Sequence, residues 1–193
     1  MWTAALPPGA AQRQAGDGCV RAAPPVMMPV RPEVKMAKRF VDDGRTCEAF
    51  SDLFLVQCPR CQGCASVRPL HKPVPSAPHL PMRRLTCGTC AETQEWPRAD
   101  IQPIGYSIHR GPCDWYFNRP LWLQTPCCGH VLFAYNSAHL GYLEAFVSAD
   151  LRDVARHHNQ SLASRLPQWM QLQHNRGEVL RGLKRLQARL PEA

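Results

Sequence analysis

The sequence predicts an α+β chain: β-hairpins built around paired cysteines, then a small helical C-terminal region, behind a disordered N-terminal leader. Three observations predict it. Cysteine pairs occur in FLVQCPRCQGCASV (residues 54–67) and RRLTCGTCAETQEW (residues 83–96), each entered and left by short runs with strand character. From residue 137 the apolar positions shift to helical spacing, with Leu140, Leu143, Phe146, Val147 and Leu151 mostly three or four apart. Residues 1–35 are rich in Ala, Pro, Gly and Gln and carry little periodicity. The expected organisation is a leader over 1–35, a β region over 50–136 and a helical region over 137–190.

Composition narrows the class. The 193 residues include 19 prolines and ten cysteines and carry a net charge of +8. So many prolines cannot all lie in helices or central strands, so much of the chain is expected to be loop or tail. The charge is uneven. Residues 58–98 hold six Arg/Lys against two acidic residues, and residues 151–193 hold eight against three. Two basic zones suit an anionic partner such as nucleic acid, although Arg-rich helix faces produce the same count. The first residues lack the charged and apolar regions of a secretory signal, and no run reaches a membrane span. The expectation is a cytoplasmic protein without membrane partners, in a reducing compartment where paired cysteines bind metal more often than they form disulfides.

In chain order, KMAKRFVDDGRTCEAFSD reads as a short helical or irregular lead-in, with Cys47 a small buried hydrophobe and Cys19 incidental. FLVQ and ASVRPL flank the first cysteine turn, and MRRLT and AETQEW the second. Between them HKPVPSAPHLP reads as a loop, its four prolines closing it to sheet. The aromatic stretch CDWYFNRPLWLQT leads to PCCGH and the apolar strand VLFAY. Trp115, Tyr116, Phe117 and Trp122 are expected at the seam between ribbon and helices rather than as a base-stacking platform. SLASRL suggests a short helix. A last helix carries Val179, Leu180, Leu183, Leu186 and Leu190 as its stripe, with Asn175 and Glu178 spaced as a capping box and Pro191 at its end.

The paired cysteines carry the chemistry. Cys58, Cys61, Cys87 and Cys90 form C-x2-C-x25-C-x2-C. A Cys-x-x-Cys turn at a hairpin tip aims two sulfurs at one point, and two such turns supply four thiolates in a tetrahedron, the donor set of structural Zn2+. Such hairpins bury too little apolar surface to stand alone, and a structural zinc contributes about 10–16 kcal/mol of apparent binding free energy. Four cysteines leave no open position for activating water. A redox dithiol fits less well, because neither pair opens a helix in a βαβ setting. Cys64 offers an alternative register with Cys61. Pro59 and Gly63 favour the turn at Cys58 and Cys61, leaving Cys64 to begin the outgoing strand.

A second cluster, PCCGH, places Cys127, Cys128 and His130 in a third hairpin turn, with His109 and Cys113 as the nearest further ligands. It reads as a second metal site, as a reactive thiol site, or as buried thiols beside a packed histidine.

CPRCQGCASV, LTCGTC, PLWLQTPCCGHVLFAYN and NQSLASRLPQWM together resemble uncharacterised bacterial proteins containing a transcription-factor-IIB-type zinc ribbon, over roughly residues 50–190. The resemblance implies a zinc ribbon ligated by Cys58, Cys61, Cys87 and Cys90, followed by a helical tail, and implies no activity. The leading expectation is a non-enzymatic binding or scaffold module. Its partner is either nucleic acid, through Arg68, Arg83 and Arg84, or a protein groove that takes the last helix. The competing expectation is a thiol- or metal-dependent enzyme or redox protein centred on the Cys-Cys-Gly-His turn.

Overall fold

A computed structural model describes residues 37–74, 77–97, 112–153 and 160–191. The chain divides into two units, Met1–Lys35 and Met36–Ala193, and all described residues belong to the second. The expected leader, Cys19 and His109 lie outside the described residues. The fold is α+β, with hairpin sheets followed by helices.

Four antiparallel strands form the main sheet, in the order β2-β3-β4-β5 (Phe54–Gln57, Cys64–Val74, Ala77–Cys87 and Thr93–Trp96). Phe54, Leu55 and Val56 of β2 are all buried, which is unusual for an edge strand. The reason is that β2 is covered. Its Leu55 N–H donates to Tyr135 O at 2.8 Å, Trp122 N–H donates to Leu55 O at 2.9 Å, and Gln57 N–H donates to Pro120 O at 2.9 Å. The free edge is thereby closed by the segments that flank the hairpin of β6 (Leu123–Cys127) and β7 (His130–Ala134).

The Pro-rich segment differs from expectation. Its described residues continue the sheet, since β3 runs on to Val74 and β4 begins at Ala77. The pairing passes from Pro69↔Arg83 to Pro73↔Pro81 and Val74↔Ala77 with two shifts of register. Proline's fixed φ is compatible with extended backbone, and an irregular ladder tolerates its missing N–H.

The lead-in is helical only in one short turn and begins as a strand. It forms β1 (Arg39–Val41), parallel to β8 (Leu151–Asp153), and a 3-10 turn at Cys47–Phe50. Helix α1 (Ser137–Ser148) stops before Leu151, which sits half-exposed in β8 instead of extending the apolar face. Two arginines close that helix end. Arg152 donates to Phe146 O, Val147 O and Gln171 O, and Arg176 donates to Ser148 O. Two short helices follow, α2 (Leu162–Arg165) and α3 (Gln168–Gln171), before α4 (Arg176–Gln187). Among the described residues no helix is long and apolar enough to cross a membrane.

One buried cluster joins the β and helical regions, from Phe40 and Phe50 through Phe54, Val67, Leu85 and Leu123 to Leu140, Phe146, Val179, Leu183 and Leu186. Tyr116 and Phe117 are buried within it and Trp115 and Trp122 pack on it, as the seam reading expects. Asp114 shapes the turn that carries them, accepting from Tyr116, Phe117 and Arg119 N–H at 2.7–2.9 Å. Asn136 couples the regions directly. Its Oδ1 accepts from His139 N–H at 2.9 Å as the cap of α1, while its Nδ2 donates to Phe50 O and Leu53 O.

Candidate metal centre

The two cysteine turns of the sheet share one backbone design. Gln62 N–H donates to Cys58 O and Cys58 N–H to Gly63 O. In the other turn Ala91 N–H donates to Cys87 O and Cys87 N–H to Glu92 O. The residue after each second cysteine is left-handed, Gln62 at φ 61° and Ala91 at φ 58°. Neither is glycine, so each turn holds a conformation that costs about 1–2 kcal/mol. The turns sit at the β2-β3 and β4-β5 junctions. The β3-β4 register, Ala65 opposite Cys87, sets them side by side.

The sulfurs converge. Cys58 and Cys90 Sγ are 3.6 Å apart, Cys61 and Cys87 Sγ are 3.6 Å apart, and all four lie within 4.8 Å of one another. A tetrahedral zinc with Zn–S of about 2.3 Å separates its sulfurs by about 3.8 Å. Backbone N–H groups reach every sulfur: Arg60 to Cys58 at 3.4 Å, Gly63 to Cys61, Thr89 and Cys90 to Cys87, and Glu92 to Cys90. These donors favour thiolates. The Cys90 N–H, with that of Thr89, holds the Cys87 thiol down to about 6 despite desolvation. Cys90 is pushed up to about 12 although the Glu92 N–H favours its thiolate, because desolvation and three neighbouring sulfurs oppose a second charge. A cation relieves that crowding, so the four residues are placed to hold a metal ion.

Cys64 stands apart from this set. It begins β3 opposite Gln57, and burial, then Cys87, pushes its thiol up to about 11.

The third hairpin turn is built differently. Cys128 at φ 51° and Gly129 at φ 75° make a two-residue turn between β6 and β7, with left-handed backbone at both central positions. Glycine, asparagine or aspartate fills such positions at least cost. Here a cysteine takes the first. Cys127 is buried, with its Sγ 3.7 Å from that of Cys128. His130 does not join them; its ring stacks on Trp169 at 5.0 Å and 11°. The third group is Glu178 of α4, whose carboxylate accepts from Cys128 N–H at 2.8 Å. Glu178 therefore does not complete a capping box, and Asn175 instead donates to Trp169 O. Gly182 allows this approach, for a Cβ there would meet Leu132 Cδ2 at 2.7 Å and Cys127 Sγ at 3.5 Å. Cys113 pairs with Pro120 in a short bridge and lies outside both groups. Desolvation, then Cys128, pushes the Cys127 thiol up to about 12, which is unlike an activated nucleophile.

Among the described residues, several basic side chains are engaged internally. Arg83 is 5% exposed, donates to Ser51 O at 2.6 Å and lies over the Tyr116 ring, so it is withdrawn from the phosphate-contact set. Arg185 and Arg189 donate to Pro126 O and Gln124 O of the β6-β7 hairpin. Arg68 and Arg84 are exposed and directly opposite each other on β3 and β4, with Arg84 also paired to Glu95 at 2.5 Å. A cleft of about 1090 Å³, lined in part by Phe133, Tyr135, His139 and Trp169, was not foreseen from the sequence because its walls come from segments far apart in the chain, β7, α1 and α3 among them.

No family model, curated protein or solved structure matches the chain. Fold and site define a class on their own terms: a β-ribbon module whose two cysteine turns are arranged to hold a metal ion, with a helical region packed on it.

Proposed function

We propose that the protein is a zinc-ribbon module, akin to the transcription-factor-IIB type, that binds a partner without catalysis. Its zinc, held by Cys58, Cys61, Cys87 and Cys90, fixes the binding surface. The observation that carries this reading is the convergence of four sulfurs, each supplied with a backbone N–H. Four thiolates close the coordination sphere, so the ion holds structure and activates no water. Metal analysis of purified protein tests the reading. Cys58→Ser is expected to lose this zinc and Cys64→Ser to keep it, and the reverse pattern contradicts the assignment.

Nucleic acid is the partner best supported. Its support is the net charge of +8 and the exposed Arg68–Arg84 pair on the ribbon face. Binding to a duplex or single-stranded oligonucleotide is then expected to weaken steeply with salt, and Arg68→Glu to reduce both affinity and salt slope. Salt-independent binding contradicts a phosphate contact.

A further inference from the structure

We propose that Cys127, Cys128 and Glu178 form a second metal site, independent of the four-cysteine centre, that takes a thiophilic divalent cation such as Zn2+ and leaves one coordination position open. The three ligand atoms lie within 4.8 Å of one another, and the Sγ–Sγ separation of 3.7 Å matches the edge of about 3.8 Å expected for two thiolates on one tetrahedral zinc.

Two independent features hold the group together. Cys128 occupies a left-handed turn position next to Gly129, where asparagine would be the low-cost residue, and the cysteine brings its thiol beside that of Cys127. Glycine at position 182, in the interior of α4, lets the helix approach the hairpin closely enough for Glu178 to reach Cys128. A locally unfavourable residue in each element thus serves one convergence.

The donor set decides the ligand class. Two sulfurs and one carboxylate select a borderline-soft ion over Mg2+ or Ca2+. Three protein ligands leave the fourth position to water or to a donor from another molecule, unlike the closed ribbon centre. Cys127 is buried while Cys128 and Glu178 reach solvent, so that position faces outward.

The test is metal stoichiometry of the full chain under reductant, by native mass spectrometry with added Zn2+, together with visible spectra after Co2+ is added to protein carrying one zinc. The expected result is two zinc ions per chain and a tetrahedral cobalt spectrum with weaker sulfur-to-metal bands than the four-cysteine centre gives. Cys128→Asn, which installs the favoured Asn-Gly turn and keeps the fold, is expected to drop the count to one. Glu178→Gln is expected to weaken the second ion at least tenfold and leave the first unchanged. Saturation at one zinc that Cys58→Ser abolishes overturns the proposal and spares the ribbon reading. A second ion that survives Cys128→Asn overturns it as well.

Discussion

At the scale of single residues, Asn136 and His139 show how the ribbon and helices are tied. Asn136 is 2% exposed and satisfies one helix donor and two loop carbonyls at once. Asn136→Ala removes the cap and strands those groups, for an expected loss of about 2–3 kcal/mol in denaturant unfolding. A loss within 0.5 kcal/mol of zero is inconsistent with that role. His139 receives Tyr135 N–H on Nδ1 and is held neutral, since burial pushes its imidazole down to about 4. Its folded pKa lies below the ordinary value of about 6.5, so the unfolded chain binds the extra proton. This residue's contribution is complete above about pH 6.5 and is lost as the pH falls towards 4, by about 3 kcal/mol in all. An NMR titration of the His139 ring is expected to show a midpoint near 4, and a midpoint near 6.5 contradicts its burial as neutral imidazole.

At the scale of elements, the close fit of α4 on the β6-β7 hairpin rests on Gly182. In Gly182→Ala the gain in helix propensity of about 1 kcal/mol is opposed by overpacking of about 1–3 kcal/mol against buried Leu132. The net expectation is a destabilised protein, and an increase in melting temperature contradicts the contact. Cys128→Asn, compared with wild type when both carry only the four-cysteine ion, is expected to do the opposite, raising stability by several tenths of a kcal/mol as its left-handed strain is relieved. Legibility in the sequence divides along the same line. The convergence of the cysteine pairs was readable because Cys-x-x-Cys spacing is local and each turn closes on itself. Glu178 was misread because spacing alone suggested a cap, whereas its partner lies fifty residues away on another element. Arg83 and Arg84 were grouped by charge, yet strand alternation sends neighbours to opposite faces, and only Arg84 reaches solvent. The Pro-rich ribbon was missed because prolines mark broken sheet pairing, and a bulged ladder accommodates them.

At the scale of the whole molecule, the α+β architecture was legible from the change in periodicity near residue 137. The aromatic seam joining ribbon and helices was legible too, but the covering of β2 was not, because the segments that cover it follow it by more than sixty residues. That shared core makes the metal centre consequential. Cys58 and Cys87 are buried in the same cluster as Phe54 and Leu121, so loosening the cysteine turns exposes the seam on which the helices pack. Two turns with left-handed Gln62 and Ala91 bring four thiols together, and a cation would relieve the crowding of their charges. With the proposed zinc bound, acid sensitivity is expected as well, since protons compete with the metal for thiolates as the pH falls. The most direct measurement is the amide NMR spectrum of the purified protein before and after removal of zinc by a strong chelator under reductant. Dispersed signals from β2 through β5 are expected to collapse on chelation and return when Zn2+ is restored. A spectrum unchanged after complete metal removal would contradict a structural role for the four-cysteine centre.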